Sequence, residues 1–253
     1  DHARFRIETD QPAPILFISD WHIGSWGTSY RKIAEITELI REHKLWVAVL
    51  GDMVQVAIKL RNVLEVSDNA LPPRLQMRFL HSWLEDLAPY ILWSTWDNHG
   101  VMREEAVTGF SQYAEMFKEK TVYHSGIGHV DLDVGEETYR VATSHRFRGN
   151  SYMNPTHGQM RYGRFEGLDR ELIVAGDSHR PAIQTYTDGP MTRIAINCGT
   201  LQTDSGYAKR WFSLNTHNWM PLVLLYPQTH LMIPFSDVSH YLALRDGELV
   251  QAA

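Results

Sequence analysis

A single cysteine, Cys198, stands in the whole chain, so no intrachain disulfide can staple it. That scarcity fits a reducing compartment. No apolar run approaches the roughly 18 residues that a membrane span needs, and the opening at Asp1 carries no signal-like apolar stretch. The expectation is a soluble, cytoplasmic protein with no membrane contact. A basic excess is missing too: 24 Lys and Arg face 30 Asp and Glu, for a net charge of -6. This argues against a surface built to track along nucleic acid, though a few phosphate contacts inside a cleft are compatible with it. Internal repeats, low-complexity tracts and dividing linkers are absent as well. The economical reading is one domain over residues 1–253, with 236–253 as a C-terminal tail. What the chain has in quantity is apolar: 43% hydrophobic and 11% aromatic residues, enough to bury a large core. Disorder as the main state is thereby excluded.

Ile15-Leu16-Phe17-Ile18 reads as a buried parallel strand that stops at Ser19-Asp20 and then presents His22. Residues two apart at a strand end point the same way, so Asp20 and His22 can face one site. A helix capped by Thr28 or Ser29 follows, with Ile33, Ile36 and Ile40 on its apolar face. Val47–Leu50 is a second buried strand ending in Gly51-Asp52, and residues 53–72 read as a loop or short helix over the site. Leu75, Phe79, Leu80, Trp83, Leu84 and Leu87 mark an amphipathic helix stopped by Pro89. Ile91–Trp93 is a third strand, leading to Asp97-Asn98-His99, and a helix with Ala106, Phe110, Tyr113, Ala114 and Phe117 comes next. This β-α-β-α-β-α order implies a parallel sheet with crossover helices.

The second half reads differently. Hairpins are expected around 135–137 and around Asp188-Gly189-Pro190, with a short buried strand Leu172–Ala175 between them and late strands around Pro227. Residues 1–14 read as an edge strand or arm, and Arg146–Met160 as polar and irregular.

Five strand ends thus carry polar groups: Asp20 with His22, Asp52, Asn98 with His99, His145, and Asp177 with His179. In an open α/β sheet such ends converge on one crevice. Taken singly, each could be a cap or a core hydrogen-bonding group. Together, Asp, His and Asn suit Mn²⁺, Fe or Zn²⁺ better than Ca²⁺, which prefers oxygen alone. The set exceeds what one metal needs, and two metals sharing a bridging carboxylate would use most of it.

The order Asp-x-His, Gly-Asp, Asn-His, His and x-His after a strand resembles the calcineurin-like metallophosphoesterase superfamily over roughly residues 15–200. Ile18–Gly24 is most similar to the nuclease subunit of bacterial double-strand-break repair exonucleases. The resemblance implies a four-layer α/β/β/α sandwich of two mixed sheets flanked by helices. It implies that Asp20, His22 and His179 hold one metal, that Asp52 bridges, and that Asn98 and His145 hold the second. Asp52 and His99 are then the catalytic pair, with a hydroxide as nucleophile and His99 protonating the leaving oxygen. Mn²⁺ is the expected metal, with Fe, Zn²⁺ or Mg²⁺ as alternatives.

Two positions depart from the family. Asp177 stands where the final motif usually has His, and is expected to serve the second metal as a carboxylate. Asp97 stands where Gly usually precedes Asn-His; Asp tolerates a left-handed turn and is expected to reach His99. Arg146, Arg148 and His157, in the loop after His145 and near Arg161, are the expected contacts to substrate phosphate, and Trp21 and Trp26 could stack on a base. The leading reading is a phosphodiesterase, including one acting on DNA or RNA ends. Its rivals are a phosphomonoesterase of small molecules or proteins, and a non-catalytic scaffold. The stretch after His179 is short for a partner-binding cap, so no obligatory protein partner is expected.

Overall fold

Alternation along the core strands sorts the chain into layers. The computed structural model describes residues 1–56, 69–149, 151–203 and 219–247. Strand β2 (Ala13–Ile18) sends Ile15 and Phe17 to one face and Leu16 and Ile18 to the other, all four fully buried. Strand β3 (Trp46–Val49) pairs with it in parallel, Ile15 opposite Trp46 and Phe17 opposite Ala48. Strand β4 (Ile91–Thr95) extends the parallel set to β5 (Val122–His124), while β11 (Leu222–Leu225) and β12 (Met232–Phe235) complete the other edge antiparallel. The order in this sheet is β12-β11-β2-β3-β4-β5.

The second sheet has six strands too, in the order β1-β6-β7-β8-β10-β9. These are β1 (His2–Ile7), β6 (Gly128–Val134), β7 (Glu137–Ser144), β8 (Leu172–Ala175), β9 (Ala182–Asp188) and β10 (Met191–Asn197). Both expected hairpins are present, and β1 takes an edge, parallel to β6. In β6, Val130, Leu132 and Val134 are buried while His129, Asp131 and Asp133 between them are only partly covered, the alternation of a strand with one face on a core.

The two sheets face each other. Ile15, Phe17, Ala48, Leu50 and Trp93 of the first pack with Val130, Leu132, Val141, Leu172 and Val174 of the second in one cluster. Trp93 is fully buried there, and its indole N–H donates to Thr143 Oγ1 across the gap at 2.9 Å. The outer face of the first sheet is covered by α1 (Tyr30–His43), α2 (Pro73–Leu87) and α4 (Gln112–Lys120), that of the second by α5 (His157–Phe165). This is the α/β/β/α sandwich. Each large side chain taken fully into such a core contributes on the order of 1.5–3 kcal/mol.

Several elements narrow the periodicity reading or depart from it. α1 is capped by Ser29, whose side chain accepts from the Lys32 N–H. α2 buries Gln76 and Met77 with Leu80, Trp83, Leu84 and Leu87, and leaves Leu75 and Phe79 exposed. The helix expected through Ala106 and Phe117 is two helices, α3 (Gly100–Thr108) and α4, broken at the left-handed Gly109, and Phe110 is exposed at the break. α5 begins inside the stretch expected to be irregular. The 236–253 stretch, expected as a tail, carries α6 (Val238–Arg245), whose Val238 and Leu242 enter the core; its last six residues lie outside those described. Most of 53–72 also lies outside them.

Candidate metal centre

The first and second sheets both end on one crevice. The Asp20 N–H donates to Gly51 O at 3.1 Å and the His22 N–H to Asp52 O at 3.0 Å, which ties the β2 end to the β3 end. The Gly176 N–H donates to His145 O at 3.1 Å, tying the β8 end to the β7 end. The two halves join where the Asp177 N–H donates to Asp20 Oδ2 at 3.1 Å. Gly176 permits that approach, because a Cβ there would lie 2.5 Å from Asp20 Oδ2 and clash with Ser19 Oγ.

Backbone strain collects at this place. Seven non-glycine residues among those described have positive φ, and five of them are Asp20, His22, Asp52, Asp177 and His179. Each such conformation costs on the order of 1–3 kcal/mol and persists only where surrounding structure enforces it. Asp20 and His22 lie beyond the last residue of β2, so strand alternation does not align them; paired left-handed turns do.

The side chains converge. His179 Nε2 lies 3.0 Å from Asp20 Oδ1 and 3.0 Å from His22 Nε2, and His22 Nε2 is 3.8 Å from Asp20 Oδ1. His145 Nε2 lies 3.3 Å from Asp52 Oδ2. One end of the Asn98 amide sits 2.7 Å from His145 Nε2 and 3.1 and 3.2 Å from the two Asp52 oxygens. Three sets of ligand atoms lie within 4.8 Å of one another: Asp20, His22 and His179; Asp20, Asp52 and His145; and His22, Asp52 and His99. Asp20, His22, Asp52 and His145 are at most 2% exposed, while Asn98, His99, Asp177 and His179 form the open side.

The donor set fits divalent cations. His22 Nδ1 faces Gln55 Oε1 at 2.8 Å and His145 Nδ1 faces Leu50 O at 2.7 Å, so both Nδ1 protons are taken by oxygens. Their Nε2 atoms then face inward, that of His22 toward His179 and Asp20 and that of His145 toward Asp52. Asp20 Oδ1 is buried, and His179 Nε2 lies 3.0 Å from it, outside hydrogen-bond geometry. Acceptors crowded in this way need protons or cations between them. Without cations the imidazoles supply the charge. Burial disfavours an imidazolium at His145, yet Asp52 beside it raises its pKa well above the usual value; His179 is raised likewise against burial by Asp20. His22, buried and facing His99 and His179, is held well below. Asp52 is held well below the usual carboxylate range by His145 and His99, which outweigh its burial.

His99 borders the centre on the open side. Its backbone N–H donates to Asp52 Oδ1 at 3.0 Å, its Nδ1 meets Gln55 O at 3.1 Å, and its Nε2 receives the Arg103 guanidinium at 3.0 Å. Asp97 does something other than expected. It is not left-handed and does not bond His99; its carboxylate accepts the backbone N–H groups of Asp52 and Val101, both at 2.9 Å. It therefore pins the Asp52 turn to the first turn of α3. Burial, with the Asp52 charge next, raises its pKa to about 6.

Asp177 stands at the edge and joins none of the three sets: Oδ1 is 3.8 Å from His145 Nε2 and Oδ2 is 3.4 Å from Arg146 Nε. Arg148 and His157 are exposed and form no hydrogen bond or ion pair with the convergent groups among the described residues. Trp21 is fully buried and packs edge-on to Trp83, so it cannot stack on a ligand, whereas Trp26 is exposed. Gln55 and Arg103 touch the site through His22 and His99; Gln55 follows Asp52 by three residues, but nothing in the type or spacing of either marks it in the sequence.

No family model and no curated protein matches the chain. Among solved structures, it is similar to a predicted phosphoesterase of Streptococcus pneumoniae (13% identity, 89% of this chain and 98% of that one, TM-score 0.41). It is also similar to the calcineurin-like phosphoesterase YfkN of Bacillus subtilis (9% identity, 86% and 85%, TM-score 0.44). A third is GAP50, the anchor in the inner membrane complex of Plasmodium (11% identity, 89% and 88%, TM-score 0.43). No described helix of this chain is long and apolar enough to cross a membrane.

Proposed function

We propose that this chain is a two-metal phosphoesterase of the calcineurin-like kind, acting on phosphodiesters, nucleic-acid ends among them. The observation that carries the reading is the convergence of buried carboxylates and imidazoles: Asp20, His22 and His179 on one side, Asp52 and His145 on the other with the Asn98 amide against them, and Asp20 Oδ1 buried 3.0 Å from His179 Nε2. Those six residues would hold the metals, and Asp52 belongs to two of the three ligand-atom sets. Mixed oxygen and nitrogen donors favour Mn²⁺, and Fe, Zn²⁺ and Mg²⁺ also suit them. Bound there, divalent ions would supply positive charge to a phosphoryl oxygen and would lower the pKa of a water.

The protein's own groups do the remaining work. Gln55 and Leu50 fix the tautomers of His22 and His145, so that Nε2 faces inward. The Gln55 carbonyl holds His99 Nδ1–H and leaves Nε2 as the nitrogen that carries a proton to the leaving oxygen. Arg103 donates to that same Nε2, so it must move off before His99 can act as the acid.

The test compares metal-reconstituted protein on bis(4-nitrophenyl) phosphate, 4-nitrophenyl phosphate, and single- and double-stranded DNA. Diester hydrolysis that needs Mn²⁺ and stops on chelation is expected. Asp52→Asn should weaken both metals together. Near wild-type turnover by that variant at saturating metal would sink the two-metal reading. Hydrolysis of the monoester alone would make this a phosphomonoesterase, and two bound metals with no hydrolysis a scaffold.

A further inference from the structure

Asp177 has its backbone in the wall of the crevice and its carboxylate at the mouth. The N–H is spent on Asp20 Oδ2, while the side chain is 24% exposed, against 0% for Asp20 and 3% for Asp52. Its nearer oxygen is too far from His145 Nε2, at 3.8 Å, for a hydrogen bond, and the other faces Arg146 Nε at 3.4 Å. Arg146 directly follows His145, and its carbonyl is held by the Ser144 hydroxyl at 3.1 Å. The Asp177 carboxylate thus stands between the Arg146 guanidinium and the His145 imidazole. Only Nε is engaged: no hydrogen bond among the described residues takes the two terminal nitrogens. That edge is a fork matched to two phosphate oxygens.

We infer that Asp177 serves as the seat of Arg146 rather than as a metal ligand, and that the pair sets which phosphate charge the crevice accepts. The inference rests on the phosphoesterase reading and deepens it to a substrate class. Paired with Asp177, the guanidinium offers directional hydrogen bonds without net charge, which suits the monoanion of a phosphodiester. Unpaired, it would add a full positive charge and favour the dianion of a monoester.

Three measurements on the metal-loaded protein test this: metal content by elemental analysis, calorimetric titration with inorganic phosphate, and kcat/KM on the 4-nitrophenyl monoester and diester. Asp177→Asn should keep the wild-type metal content. It should raise the monoester-to-diester ratio of kcat/KM about tenfold and tighten phosphate by a similar factor, the scale of one nearby charge partly screened by solvent. Arg146→Gln, on an exposed side chain that the fold does not need, should weaken phosphate about tenfold and act on the diester through KM more than kcat. The double variant, again neutral, should return the ratio toward wild type. Loss of one metal equivalent in Asp177→Asn would make Asp177 a ligand and overturn the inference. So would an unchanged ratio and unchanged phosphate affinity with metals retained. If the wild type hydrolyses neither ester, the phosphoesterase reading fails, and the phosphate titrations still decide whether Asp177 governs Arg146.

Discussion

At the scale of single residues, roles divide by which atom faces inward. His99 has its Nδ1 on a carbonyl and its Nε2 at the open side, so His99→Ala should retain metals yet lose roughly 10²–10⁴-fold in turnover, the usual size of general acid–base help. Rates on a diester with a nitrophenolate leaving group, which needs no proton, should fall least. An equal loss on good and poor leaving groups would assign His99 to charge stabilisation. Gln55 tests the cage from behind. Its amide oxygen is the partner of His22 Nδ1, so Gln55→Leu should weaken metal binding about 10- to 100-fold, read by calorimetry, while Gln55→Glu, which keeps an acceptor there, should recover most of it.

At the scale of elements, the centre exists because strand ends from two sheets touch. Gly176 at the β8 end has no room for a Cβ beside Asp20 and Ser19. Gly176→Ala should therefore push the β8 end off the β2 end, costing about 1–3 kcal/mol by overpacking. Thermal unfolding reads that cost, and metal analysis should show a loss at the Asp20, His22 and His179 set. Wild-type metal content with an unchanged Tm would mean the two ends do not depend on this contact. The break between α3 and α4 belongs to the same scale. Gly109 turns left-handed, and Ser111 then caps α4 through the Ala114 N–H, so one apolar periodicity is served by two helices. A helical repeat in sequence does not announce such an interruption, because Phe110 keeps the spacing while facing solvent.

At the scale of the whole molecule, the turn between β11 and β12 straps one sheet to the other. His230 stacks on Tyr139, with Nδ1 3.0 Å from Glu137 and Nε2 2.7 Å from Glu171, and the Tyr139 hydroxyl reaches Tyr226 O at 2.6 Å. Partial burial lowers the pKa of His230, and the two glutamates outweigh it, so the folded value lies above the ordinary one. A raised folded pKa means stability that is fully present below the unfolded value near 6.5 and is lost as pH rises through the folded value. The stability gap between the protein and His230→Gln should thus be larger at pH 5.5 than at pH 9, measured by denaturant unfolding. A gap independent of pH would show that the strap holds by packing alone.

The central buried strands were legible because burial on two faces writes runs such as Ile15–Ile18 and Leu172–Ala175, whereas β5 and the order of strands in each sheet were not. The polar groups at their ends were legible as well, since Asp20, His22, Asp52, Asn98, His145 and His179 each follow such a run. Other features depended on contacts between residues far apart in the chain, and those only the tertiary structure decided. Asp97 reads as a turn residue until the Asp52 N–H, 45 residues away in sequence, is seen to need its carboxylate. Asp177 is expected as a ligand from its place before His179, and only the fold shows that its carboxylate also faces Arg146 at the mouth. Gln55 has no pattern at all and matters only because His22 folds over it. Periodicity reports which face a residue turns to the core; it says nothing of which buried donor lacks an acceptor, and in these three cases that pairing is settled between the ends of neighbouring strands in one sheet.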